Sequence, residues 1–419
     1  MRQRYTCWEK SVDFTDTSAR LQHLREFEPR LDRPIMMKVQ EFQRNNRLKH
    51  VIFSAQFDRE LLDRLTGLAT MIRQLARSRR GSRLLRETLC DKSAMLQFTQ
   101  ASTRTFLSFV RACQHLGVDY AEIRNPAVSS AYKGESDLDS IMMFSTYFDI
   151  VILRDSMPKL AECFAYKMND IEKSVPIVNG GSGADEHPTQ ALLDYYTIQE
   201  VFKFRDRESD RESDDRNLGR RLSDLRTRWP NLRPGMDGKT YLFCGDVGRS
   251  RTIRSLAELL AQHEDVTMYF VGPEHPRLSI TPDLQSDLVE AGVTVHERSD
   301  LNDCIGEADL VYMTRVQHEH DDAEVAEFLS GLDRQRFILD REMLAKMREY
   351  AAILHPFPRN DEISPDIDSD PRAMYFAQAE NGMWIRAALI AHLLDAESEI
   401  MLRYQDFFKK ERRSWNEQR

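Results

Sequence analysis

Two doubly wound α/β domains, each built on a parallel sheet, are the fold class that this sequence predicts. Short runs that are apolar on both faces recur along the chain, separated by segments of helix length, and that is the pattern of parallel strands covered by helices. The runs fall into two series, which implies two domains. The stretch that follows several runs is rich in Ser, Thr, Arg, His or Gly, where such folds place their ligands.

The first series is Ala94–Gln100, Tyr120–Arg124, Phe148–Arg154 and Val175–Gly181. The second is Thr240–Gly245, Val266–Gly272, Val293–Glu297, Ala308–Thr314 and Ala351–Phe357. A length of 419 residues with 41% hydrophobic content supports more than one core. We therefore expect an N-terminal extension over 1–46, polar and weakly helical, a first domain over 47–198, and a second over 237–375. Between them, 199–236 reads as a charged insertion. Its segment Phe204–Pro234 holds a near-duplicate Asp-Arg-Glu-Ser unit, Asp206–Arg216, whose composition cannot build a core and predicts a solvated loop.

The formal net charge of −9 argues against a nucleic-acid partner and leaves room for a local basic pocket. The N-terminus has no apolar leader segment, and no stretch reaches membrane-spanning length, so a cytoplasmic location is expected. Six cysteines, none in a Cys-x-x-Cys pair and several within apolar runs, read as buried free thiols of a reducing cytosol.

The first strand leads into Ser102-Thr103-Arg104-Thr105, just where a helix begins. Backbone N–H groups, a helix dipole and a guanidinium together suit a phosphate, although Ser and Thr are also ordinary N-caps. Arg154 closes the third strand, as a snorkelling edge residue or as an anion ligand. After the fourth strand, Gly180-Gly181-Ser182-Gly183 precedes His187-Pro188-Thr189-Gln190. Pro188 suits a first helical turn, which places His187 at the strand-end crevice, as a site group or a cap. Ser129-Ser130-Ala131-Tyr132-Lys133 reads as a loop before a helix over Leu138–Tyr147.

In the second series, Gly245-Asp246-Val247-Gly248-Arg249-Ser250-Arg251-Thr252 occupies the place of a dinucleotide loop. It lacks the Gly-x-Gly-x-x-Gly spacing and supplies arginines, which suit a carboxylate better than a pyrophosphate. Arg315 and Gln317 lie two apart after Tyr312-Met313-Thr314, so an extended chain points both the same way. His355-Pro356-Phe357-Pro358-Arg359 is a stiff loop with a candidate cis bond. The run His318-Glu319-His320-Asp321-Asp322 looks metal-like, but adjacent ligands rarely converge and a solvated helix start explains it. No metal and no organic cofactor is expected.

Taken together, these stretches resemble the aspartate carbamoyltransferase family from about Leu48 to about Leu394, interrupted by the insertion. The resemblance rests on Ser102–Thr105, His187-Pro188-Thr189-Gln190 with Ala191–Asp194, Tyr312–Gln317, His355–Arg359, Asp361-Glu362-Ile363 and Gln378–Gly382. It implies a carbamoyl phosphate-binding first domain, an aspartate-binding second domain, and a C-terminal helix, from about Asn381 and within 381–400, crossing back to the first domain. By position, Ser102, Thr103, Arg104, Thr105 and Arg154 would hold phosphate. Thr105, Arg154 and His187 would polarise the carbamoyl carbonyl. Gln190 and the backbone of the loop at Pro356 and Phe357 would hold the carbamoyl amide. Arg251, with neighbouring Thr252, and Arg315 and Gln317 would grip aspartate. Ser129 and Lys133 would come from a neighbouring subunit of a homotrimer with shared sites. The partners implied are carbamoyl phosphate and L-aspartate, with transfer of the carbamoyl group as in de novo pyrimidine synthesis.

The chain departs from the family at several places. Gln100 stands where a glutamate is usual, His320 where an arginine is common, Phe106 for a common arginine, and Phe357 for leucine. The first two alter a pair that helps hold the domains closed in relatives. An ornithine or other amine acceptor is the alternative chemistry, and Arg315 argues against a cationic acceptor. A non-catalytic scaffold subunit is the alternative role, and intact Arg104, Lys133, His187 and Arg315 argue against it.

Overall fold

The computed structural model describes residues 24–44, 47–125, 135–173, 175–183, 186–204, 225–316 and 323–417. Ser129, Lys133, Gln317, His320 and the duplicated Asp-Arg-Glu-Ser run lie outside these residues. The chain divides into two compact units. One comprises Met1–Gln56, Glu60–Thr189 and Met383–Arg419, the other Phe57–Arg59 and Gln190–Gly382.

The first unit holds a parallel sheet of four strands, β1 (Ser93–Phe98), β2 (Asp119–Ile123), β3 (Ile150–Arg154) and β4 (Ile177–Asn179), in the order β2-β1-β3-β4. The second holds a parallel sheet of five, β5 (Thr240–Cys244), β6 (Thr267–Val271), β7 (Thr294–Arg298), β8 (Leu310–Met313) and β9 (Ala352–Leu354), in the order β9-β8-β5-β6-β7. All nine runs read as strands are strands. Each order reverses beside its first strand, between β1 and β3 and again between β5 and β8. Loops diverge at such switch points and open a crevice at the strand C-termini.

The helices that bear on the site start directly after strands. They are α1 (Thr103–Leu116) after β1, α2 (Pro188–Val201) after β4, and α3 (Arg251–Leu260) after β5. Pro188 opens its helix as expected, and the helix read over Leu138–Tyr147 spans Asp137–Tyr147. The C-terminal helix begins earlier than Asn381, at Tyr375, and runs to Leu393 as α4; its first residues belong to the second unit and Met383 onward to the first. A further helix follows at Glu397–Glu417. Of the cysteines, Cys113, Cys163, Cys244 and Cys304 are buried free thiols, whereas Cys90 is exposed.

Two segments read as merely polar prove to be anchored. In the N-terminal extension, Leu24, Phe27, Val39 and Phe42 join the core of the first unit beside Val151, Leu153 and Phe164. At the end of the insertion, Leu225 and Leu232 pack with Tyr350, and Phe204 and Trp229 join them. Trp229 meets Tyr350 edge-on at 5.0 Å. The expectation of a wholly solvated insertion therefore fails from residue 225 onward. Its few apolar residues stand at turn-like spacing and form a satellite cluster that bulk composition conceals.

A buried ion pair also ties the N-terminal segment down. Lys38 Nζ lies 2.9 Å from Glu162 Oε1, with side chains only 6% and 4% exposed, and donates to the Leu31 carbonyl at 2.6 Å. Burial raises the Glu162 pKa even with Lys38 beside it. Such a pair contributes little net stability while intact, but removing one partner strands a buried charge. Lys38→Ala should therefore destabilise the protein by about 3 kcal/mol in urea unfolding. Lys38→Met combined with Glu162→Leu should recover most of that loss. A loss below about 1 kcal/mol for the single variant would show that the pair is effectively solvated.

Candidate active site

The residues that the sequence suggests for a phosphate lie at the start of α1 in the first unit. Ser102 occupies the N-cap with extended backbone, and its side chain makes no capping hydrogen bond. Ser102 therefore does not act as a side-chain cap, and the start of this 14-residue helix carries the dipole that favours an anion. Thr105 is buried, while Thr103 and Arg104 are exposed. Phe106 packs edge-on against Phe98 at 5.4 Å, and the Arg124 guanidinium lies 4.6 Å above its ring. The helix start is further fixed by Arg386 of α4, which donates to Ser108 Oγ and reaches Thr189 Oγ1 at 3.4 Å, with its guanidinium 4.9 Å from the centre of the Phe109 ring.

Arg154, the last residue of β3, does not snorkel. Its Nη1 donates to the Gly180 carbonyl at 3.2 Å and lies 3.3 Å from His187 Nε2. A guanidinium can only donate, so Nε2 faces it as the acceptor and the ring proton belongs on Nδ1, 3.4 Å from Thr189 Oγ1. His187 is buried, 4% exposed. Its place depends on Gly181, which has φ +96°. A Cβ there would come within 2.5 Å of the imidazole.

Three polar residues that the sequence reading missed shape this loop. Asn179, at the end of β4, accepts from the Gly181 and Ser182 N–H groups at 2.9 and 3.0 Å. Its own amide donates to Ile52 and Glu186 carbonyls. Asp155 accepts from Thr99 and from the Met157 N–H. Glu186 accepts from the Ser54 backbone and hydroxyl. Gln100 donates its N–H to the Arg154 carbonyl at 3.2 Å, while its Oε1 is buried with no hydrogen-bond partner.

In the second unit, β5 and β8 approach closely at their ends. A Cβ on Gly245, whose φ is +118°, would lie 2.1 Å from the Thr314 carbonyl oxygen. Of the arginines in the following loop, Arg249 is committed to buried Asp246 at 2.7 Å. Arg251 opens α3, Thr252 follows it, and Arg315 leaves β8; all three are half-buried.

Below these groups lies a buried carboxylate, Asp194, at 0% exposure. Its Oδ1 accepts from Gln190 Nε2 at 2.9 Å and from Gln378 Nε2 at 2.6 Å, and its Oδ2 accepts from the Tyr312 hydroxyl at 2.7 Å. Tyr312 also hydrogen-bonds Thr252 and Gln190; burial and the adjacent Asp194 push its pKa well up. Through Gln378 the network reaches the proline loop, because the His355 N–H donates to Gln378 Oε1 at 2.8 Å. His355 Nδ1 accepts from the Phe357 N–H, so Nε2 carries the proton toward Glu362 Oε1 at 2.6 Å. The Glu362 carboxyl is pushed up by burial but held net below its usual range by these bonds. Phe357 adopts φ 57°, and Phe357–Pro358 is the cis bond that the two prolines foreshadowed. Pro356 and Phe357 are half-buried.

The first unit therefore brings Ser102, Thr103, Arg104 and Thr105 to one helix start and Arg154 to His187. The second gathers Gln190, Thr252 and the proline loop around one carboxylate. Asp194 had a signal in the sequence, a lone acid one helical turn after Gln190 among Leu192, Leu193, Tyr195 and Tyr196. Among the described residues no group of three metal-ligating side chains gathers, and the His318–Asp322 run lies outside them.

Residues 49–200 match the aspartate/ornithine carbamoyltransferase carbamoyl-P binding domain, and residues 237–393 match the Asp/Orn binding domain of the same family. The chain is 37% identical over 348 residues to the chloroplastic aspartate carbamoyltransferase of Arabidopsis thaliana, covering 83% of this chain and 78% of that one. It is 34% identical over 349 residues to the catalytic subunit from Vibrio campbellii, covering 83% and 97%. Its structure resembles the catalytic subunit of M. jannaschii aspartate transcarbamoylase at TM-score 0.66 and 30% identity, covering 83% and 98% of the two chains. It also resembles the Trypanosoma cruzi aspartate transcarbamoylase solved with carbamoyl phosphate and aspartate, at TM-score 0.67 and 28% identity, covering 81% and 95%. The chain belongs to the aspartate/ornithine carbamoyltransferase family.

Proposed function

We propose that this protein transfers the carbamoyl group of carbamoyl phosphate to the amino group of L-aspartate, giving N-carbamoyl-L-aspartate and phosphate. The observation that carries the reading is the Arg154–His187 pair beside Gly180, close in sequence to Gln190 and on the same unit as the start of α1. Ser102, Thr103, Arg104 and the α1 N–H groups suit the phosphate, Thr105 and Arg154 suit the carbonyl oxygen, and His187 accepts from Arg154 and orients it. As the amine attacks, negative charge grows on that oxygen, and fixed donors stabilise it without reorganisation. The departing phosphate can take the amine proton. Arg251 and Arg315 provide cationic forks for the two carboxylates of aspartate.

Production of carbamoylaspartate from aspartate, with ornithine inert, is the expected result of an amino-acid panel assay; equal turnover with ornithine would reject the assignment. Arg315→Ala should raise the aspartate KM about 100-fold, the effect of losing a charge-assisted contact, and leave carbamoyl phosphate affinity within about two-fold. A parallel loss of both affinities would place Arg315 elsewhere.

We also propose a homotrimer in which Ser129 and Lys133 serve a neighbouring subunit's site, and a cytoplasmic location; chloroplastic relatives make that location the point to test by fractionation. Mixed oligomers of inactive Lys133→Ala and inactive Arg104→Ala chains should regain part of the activity, because some sites then hold both groups intact. Verified subunit exchange with no recovery would argue for sites built within one chain.

A further inference from the structure

The Asp194 network fixes more than position; it fixes which way round the Gln190 amide lies. The two ends of an amide are alike in size and opposite in chemistry, one a donor and one an acceptor. An isolated glutamine can present either. Here the amide nitrogen faces Asp194 Oδ1 at 2.9 Å, and the residue also hydrogen-bonds the Tyr312 hydroxyl. A carboxylate only accepts, so turning the amide over would set two acceptors against each other in a site with 0% exposure. Asp194 is itself held by Gln378 at 2.6 Å and Tyr312 at 2.7 Å, so it cannot swing aside cheaply. Gln190 is half-buried, and its Oε1 receives no hydrogen bond among the described residues and is not a buried unpartnered atom. The outward face of Gln190 is therefore an acceptor.

We propose that Asp194 is a positioning residue that sets discrimination between carbamoyl phosphate and acyl phosphates. This rests on the carbamoyl transfer reading given above. A carbamoyl group differs from an acetyl group in carrying NH₂ where acetyl carries CH₃. An Oε1 locked outward accepts from NH₂ and gains nothing from a methyl group. With Gln190 free to turn, its own NH₂ would face the substrate NH₂ for part of the time and the distinction would fade.

The test uses the full-length protein and Asp194→Asn, which keeps size and lets either end of Gln190 find a partner. Carbamoyl phosphate KM and the Ki of acetyl phosphate as a competitive inhibitor are measured side by side. We expect the KM to rise about 10-fold while the Ki stays within about two-fold, since only one of the two ligands loses a hydrogen bond. Equal changes in both constants would mark Asp194 as merely structural and overturn the proposal, as would no change in either. Gln190→Met in the otherwise unmodified protein keeps the test open if Asp194→Asn does not fold. It should show the same split between KM and Ki, and an unchanged ratio would also overturn the proposal. Failure of the unmodified protein to form carbamoylaspartate would instead reject the activity reading, and this inference with it.

Discussion

A parallel sheet covered on both faces confines polar side chains to near its strand ends, and the inner strands of both units obey that constraint, whereas the edge strands β2 and β7 are largely exposed. The backbones of β1, β3, β5 and β8 are saturated by their neighbours, and their side chains are almost wholly buried. Chemistry is therefore confined to the residues just past each C-terminus, where a helix start supplies N–H groups. Ser102–Thr105, His187, Arg251 and Arg315 lie past strand C-termini, and Arg154 is the last residue of its strand. The reversal of strand order beside β1 and beside β5 decides which ends face open loops.

Groups at strand ends would sample many rotamers unless something beneath held them. In both units that role falls to buried acceptors that take several donors at once. Asn179 gathers the N–H groups of the glycine loop beneath His187. Asp194 gathers Gln190, Gln378 and Tyr312. Each would be costly to bury alone, and each is satisfied because the loops around it are folded correctly. Glycine completes the arrangement where backbone or ring must come close. Gly181 lies beneath the His187 ring, and Gly245 lies against the Thr314 carbonyl.

The strands were legible because β-branched and aromatic runs are both apolar and bounded by turns. Their ends were less so. The apolar runs at Ala94–Gln100 and Ala351–Phe357 outlast the hydrogen-bonded strands, which stop at Phe98 and Leu354. The residues beyond those points belong to the turns that carry the site. Motif residues could be read because they cluster within a few positions of each other. Asp194–Gln378 and Asn179–Ile52 could not, since their partners lie 184 and 127 positions away. Nor did composition reveal that Leu225, Trp229 and Leu232 dock on Tyr350, or that Phe27 and Phe42 enter the core. A few apolar residues in a charged segment vanish in an average and yet decide where the segment lies.

The proposed reaction rests on two sets of donors, one for a phosphate with its carbonyl and one for a dicarboxylate, acting by charge and proximity. Its most direct test is the affinity for N-(phosphonacetyl)-L-aspartate, which joins both anions in one molecule. Calorimetry on the full-length protein should give a Kd at least about 1,000-fold lower than for phosphonoacetate or succinate alone, because one ligand then carries the anionic groups of both substrates. An affinity no better than that of the stronger fragment would contradict the account.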